Sequence, residues 1–319
     1  MCTASSRLLA VLVLLVAVPC AAYETDQFTN RLNPIEDSIE LLNIKVNETL
    51  NSIVDDWKGP RDDWKFVNAV YFEIGGRHWV DKIERWAMKS PDVERLVQSR
   101  HQSIYKGHPI WATRVAALFG VGPTIMINGQ LVGSDKLGHF LSQGRKYYGR
   151  YLRSLDEIQA AAHSAYTERA IFGQLTTGVY SNADLVANFE GYRFYRSLFE
   201  DNVVLAKPAI LRWDNDHWMI QSRFDWADFV NEYWDEALNI NHYDSLLYPH
   251  MKQRFLTFCA DYNAAPERYQ IENEAELKEK YTHIQLRETS ELRLENLCLH
   301  EEVDESDDSP VEIPESTEG

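Results

Sequence analysis

The 319-residue chain concentrates its most suggestive chemistry in Ser134-Asp135-Lys136-Leu137-Gly138-His139-Phe140. Asp135 and His139 are four residues apart, so on a helix both side chains project from one face, which continues through Ser142 and Gln143. A carboxylate that orients an imidazole, or shares a metal ion with it, needs this spacing. Two later segments offer comparable faces. Ala161, Ser164, Ala165 and Glu168 recur at spacings of three and four, setting one carboxylate among small residues, where burial is costly unless a cation or donor faces it. After Ser181, the residues Asp184, Ala187, Asn188 and Gly191 repeat the arrangement.

Turning these three faces toward one another satisfies them together and predicts a shared pocket around His139. In it His139, Asp135 and Glu168 are the candidate acid–base residues, and Asn188 and Gln143 the candidate substrate contacts. His139, Asp135, Glu168 and Asp184 also form a candidate ligand set whose one imidazole and several carboxylates suit a divalent metal, Zn, Mn or Mg, better than copper. The bland alternative is a set of first-turn charges and a hydrogen-bonded core histidine.

The elements that must position these residues form a mainly α-helical single domain with one or two small β-hairpins. Ile35, Ile39, Leu42, Val46, Leu50 and Ile53 predict a helix from Ile35 to Trp57, stopped by Lys58-Gly59-Pro60. Further helices are expected over Arg61 to Ile74, Asp92 to Gln98, Trp111 to Phe119, Trp226 to Leu238 and Tyr248 to Tyr262, with a charged final helix or pair over Glu272 to Leu297. Ser134 is expected to cap the His139 helix, and Ser154-Leu155-Asp156-Glu157 reads as a capping box opening the next. Asn128-Gly129 between Ile125-Met126-Ile127 and Gln130-Leu131-Val132 predicts a type I′ hairpin, and Asp214-Asn215-Asp216 a second.

Residues 1–22 read as a secretory signal, with Arg7 their only charge and an apolar run of about eleven residues, short of the roughly 20 needed to span a membrane. The expected divisions are a signal over 1–22, a helical domain over 23–300 and a disordered acidic tail over 301–319. The protein is expected to be exported, periplasmic first, with secretion or a lipid anchor at Cys20 as alternatives. Cys259 and Cys298 then remain, either as one disulfide or as two free buried thiols.

The net charge of −17 and the lack of a clustered basic patch exclude a nucleic-acid partner. Arg145, Lys146, Arg150 and Arg153 could instead lie against anionic lipid headgroups. Serine-hydrolase elbows, phosphate-binding glycine loops and Cys-x-x-Cys pairs are absent from the sequence.

Asp135-Lys136-Leu137-Gly138-His139-Phe140 resembles the Asp-Lys-x-x-His-Phe motif of the VanZ-like superfamily, bacterial envelope proteins that include small exported lipoproteins. The resemblance implies importance for Asp135, Lys136 and His139 and a cell-envelope setting. The chain departs from the multi-span members in having no span beyond its signal. The expectation is an exported envelope protein, a metal-assisted hydrolase-like protein acting on a lipid headgroup or cell-wall fragment through the His139 pocket. The alternative is a non-catalytic envelope protein that binds a glycan or protein partner through its aromatic-rich second half, where Trp213, Trp218, Trp226 and Trp234 crowd together.

Overall fold

A computed structural model describes residues 25–76, 80–108, 120–169 and 177–304. The signal, His78, the expected helix at 111–119 and most of the acidic tail lie outside these residues. Helices α1 (Ile39–Asp56), α2 (Asp63–Ile74) and α3 (Lys82–Lys89) lead to the hairpin β1 (Thr124–Ile127) and β2 (Gln130–Gly133). Then come α4 (Asp135–Gly138), a π-helical turn over His139–Gln143, α5 (Gly144–Ser154) and α6 (Glu157–Thr167). Strand β3 (Val179–Tyr180) precedes α7 (Asn182–Ser197), and the hairpin β4 (Leu211–Asp214) and β5 (His217–Ile220) follows. Strand β6 (His242–Tyr243), α8 (Tyr248–Leu256), α9 (Cys259–Ala264), α10 (Glu274–Lys280) and α11 (Leu294–Asp304) complete the described chain. The fold is mainly α with small two-stranded sheets.

The hairpin turns obey their sequence. Asn128 and Gly129 take φ of 53° and 74°, and Asn215 and Asp216 take 47° and 62°, the left-handed angles that a two-residue turn requires. The register β1 to β2 runs from Thr124 opposite Gly133 to Ile127 opposite Gln130, and Asp37 clamps the turn by accepting from the Gly129 N–H at 2.7 Å.

Several expected helices are not formed. Asp92 to Gln98 is extended or turning and bridges Thr124 through Leu96, because those backbone groups pair with β1. Trp226 to Leu238 breaks into two 3-10 turns, Trp226–Asp228 and Glu232–Trp234, whose starts are fixed by Asp225 and Asn231 side chains accepting backbone N–H groups. Their local bonds compete with helix, as Asp and Asn side chains do. Trp218, Trp226 and Trp234 are core residues, so none offers an exposed face for a sugar. Tyr248 to Tyr262 is split into α8 and α9, and the final segment is α10, two 3-10 turns and α11, which runs on to Asp304.

The main core is aromatic. Phe140 lies at its centre, within 4.6 Å of the Trp226 ring and 5.3 Å of Phe194. Helices α5 and α7 pack backbone to backbone there: a Cβ at Gly144 would stand 2.6 Å from the Gly191 backbone, and one at Gly191 would strike the Phe140 carbonyl. Anchoring Phe140 fixes its neighbour His139. A second core joins Phe28, Tyr243, Phe255 and Phe258 to the disulfide Cys259–Cys298, whose Cα atoms are 5.4 Å apart. Closing that 39-residue separation stabilises the lobe by roughly 3 to 4 kcal/mol.

Candidate functional site

The centre of the site is a buried lysine. The Lys136 ammonium, 1% exposed, lies 2.8 Å from Asp135 Oδ2, 2.7 Å from Asp184 Oδ1 and 2.7 Å from Glu236 Oε1. Burial alone would lower its pKa, but Asp135, Asp184 and Glu236 outweigh that and hold it well above the ordinary lysine value. The same ammonium and His139 keep the buried Asp184 carboxyl below its ordinary range despite desolvation. Glu236 is driven up by burial and by the Asp135 and Asp184 charges.

His139 joins this centre through a different helix from the one expected. The spacing predicted that Asp135 would orient the imidazole. Instead Asp135 turns to Lys136, and α7 supplies both ring partners: Asp184 Oδ2 is 3.3 Å from Nε2, and Asn188 Oδ1 is 3.1 Å from Nδ1. Asn188 in turn donates to Ser164 Oγ of α6 at 3.3 Å. Ser181 caps α7 by accepting from the Asp184 N–H at 3.1 Å, while its hydroxyl donates to Glu236 at 3.2 Å. One polar network thus ties α4, α6, α7 and the Glu236 loop together.

Glu168 is buried and accepts from the Ser181 N–H at 3.5 Å. With His139, Gln143, Arg150, Ser164, Thr167 and Asn188 it lines a narrow cleft whose enclosed space, about 10 Å³, is just enough for one water molecule. The predicted pocket therefore forms in two layers. His139, Glu168, Asn188 and Gln143 line the cleft, and Asp135 and Asp184 stand behind it on Lys136.

Donor atoms of Asp135, His139 and Asp184 lie within 4.8 Å of one another, close enough to share a divalent cation. Glu168 is not part of that group. The Lys136 ammonium already sits on one oxygen of each carboxylate, Asp135 Oδ2 and Asp184 Oδ1. A divalent ion beside it would face direct repulsion, so the donor set as arranged does not fit Zn, Mn or Mg unless Lys136 moves away.

The other face of α4 holds a second acid pair that sequence reasoning missed. Ser142 Oγ donates to Asp81 at 2.7 and 2.6 Å to its two oxygens. Burial pushes Asp81 up to about 7 against the Ser142 bond, and pushes Glu84 up to about 9 with help from the Asp135 and Asp81 charges. The space beside Gly138 is taken by Glu84: a Cβ on Gly138 would lie 2.9 Å from Glu84 Oε2.

Two expected caps differ. Ser134 makes no side-chain cap bond and is itself helical, and the cap of α6 is Asp156, which accepts from the Gln159 N–H at 3.0 Å, leaving Ser154 in α5. Asp235 and Glu236, neighbours in sequence, point apart: Asp235 pairs with Arg31 at 2.6 Å and Glu236 with Lys136. Lys136 itself was legible only through the six-residue resemblance, and nothing local singled out Glu236. No family model matches the chain, and no curated protein or solved structure matches it.

Proposed function

We propose that the chain is an exported cell-envelope protein whose His139 cleft is a hydrolase-like acid–base site, with Lys136 in the place a metal ion would otherwise take. The observation that carries this reading is the His139 ring held between two oxygen acceptors, Asp184 Oδ2 and Asn188 Oδ1, at a cleft with room for one water. Two acceptors suit an imidazole that carries and returns a second proton. Asp184 would stabilise that imidazolium, and Lys136 keeps Asp184 ionised for the task. Asn188 is a positioning residue that fixes the ring and yields Nδ1 to a leaving-group oxygen. Glu168 is the carboxyl that lines the cleft. The VanZ-like resemblance of Asp135 to Phe140 supports the envelope setting.

The test is turnover of a panel of phosphodiesters, carboxylic esters and cell-wall muropeptides, with and without a chelator. Turnover that survives chelation and falls by about a hundredfold or more in His139→Ala supports the reading. Turnover equal in His139→Ala and the parent protein, or abolished by chelation and restored by Zn, Mn or Mg, overturns it.

A further inference from the structure

The geometry points to the α5–α6 tip as a docking surface for a bilayer rich in anionic phospholipid, with the lipid phosphate held by Arg150 and Arg153 beside the His139 cleft. The inference rests on the reading of that cleft as the reacting site, because it names the substrate's setting.

Helix α5 ends at Ser154, Leu155 turns the chain, and Asp156 opens α6. The tip presents three large apolar side chains to solvent: Leu155 is 75% exposed, Ile158 67% and Leu152 42%. Leu155 also takes a left-handed backbone, φ 52°, at a helix C-terminus where glycine or asparagine sits with less strain. A strained, exposed leucine contributes nothing to the folded core, and a hydrocarbon layer is an environment in which it would be buried.

Beside this apolar tip is a cavity of about 270 Å³ lined by Arg150, Arg153, Ser154, Gln159, Ala160 and His163. Among the described residues neither Arg150 nor Arg153 has an ion-pair partner. Burial and the charge of Arg153 both disfavour the Arg150 guanidinium. The nearby acids are otherwise engaged: Asp156 caps α6, and Glu157 faces Arg196 at 3.4 Å and His283 at 2.9 Å. Guanidinium groups take phosphate oxygens by paired, charge-assisted hydrogen bonds. Exposed apolar side chains next to unpaired arginines form the combination that holds a protein at an anionic interface. Arg150 lines both this cavity and the His139 cleft, so a phosphate bound there brings its headgroup to His139.

The experiment is flotation of the full chain with vesicles of phosphatidylcholine alone, or mixed with phosphatidylglycerol, at neutral pH. The expected result is binding to the mixed vesicles only, weakened by added salt. Arg150→Gln with Arg153→Gln should reduce partitioning by about tenfold or more. Leu155→Gly with Ile158→Ser should also reduce it, and the glycine relaxes the backbone so that this variant folds. Failure of the parent protein to float with mixed vesicles, or flotation of both double variants equal to that of the parent protein, overturns the inference. Flotation is read without turnover: a His139→Ala protein that floats normally but retains turnover breaks the acid–base reading and leaves the membrane surface standing.

Discussion

On one side of α4, Asp135, Asp184 and Glu236 surround the Lys136 ammonium; on the other, Asp81 and Glu84 are buried with no ion-pair partner among the described residues. Burial is nearly equal on the two sides, yet Asp184 and Asp81 move in opposite directions. Asp184 is held below its ordinary pKa, while Asp81 rises to about 7 and Glu84 to about 9. The difference between Asp184 and Asp81 shows how far adjacent His139 and Lys136 offset burial; Glu236, which shares Lys136 with Asp135 and Asp184, still rises to about 7 because their charges add to its desolvation. The difference also assigns the two clusters different work, one to keep Asp184 negative beside His139, the other to pack a protonated acid against Gly138.

Removing the partner should break the comparison most severely. Lys136→Met leaves three buried carboxylates without a cation and is expected to cost about 3 to 5 kcal/mol in denaturant unfolding. A loss near zero would mean that the ammonium is not what compensates them.

Filling the space on the other side is a smaller insult. Gly138→Ala drives a methyl group toward Glu84 and should cost about 1 to 3 kcal/mol by the same measurement. Unchanged stability would show that the Glu84 side chain can swing clear.

The comparison is sharpened by pH. Glu84 binds its proton more tightly folded than unfolded, so its ionisation works against folding as pH rises from its ordinary value near 4.5 toward about 9. Asp81 does the same from about 4 toward 7. Glu84→Gln should therefore raise the melting temperature at pH 8 and change it little at pH 5. Equal shifts at both pH values would place a cation against Glu84.

The smallest effect should come from Asn188→Ala, which removes one neutral bond to His139 and one to Ser164 and should cost about 1 kcal/mol of stability. If the proposed turnover is found, its pH profile should shift in this variant, because the ring loses its Nδ1 partner; a profile identical to that of the parent protein would remove the positioning role.

How far the sequence could be read follows from where the information lies. The Asn128-Gly129 hairpin and the helix containing Asp184 and Asn188 were legible because turn angles, caps and helical spacing are local properties. The facing of Glu168, Asn188 and His139 was legible because small-residue faces carrying single polar groups must find one another. The Lys136 centre was not. Its carboxylates come from residues 135, 184 and 236, and nothing local marks Glu236 as the partner of Lys136 rather than of Arg31. Asp81 and Glu84 were missed for the same reason: their significance is burial against Gly138, visible only once α3 packs on α4. The Trp226 segment misled because its spacing fits a helix, while Asp225 and Asn231 cap short turns instead.

The central claim is that Lys136 holds the cation position, so that His139 works as a proton carrier and not as a metal ligand. Elemental analysis of the protein purified without chelator, beside a His139→Ala variant, tests it most directly. The account predicts no more than about a tenth of an equivalent of Zn, Mn or Mg in either protein. About one equivalent in the parent protein, lost in His139→Ala, would contradict it.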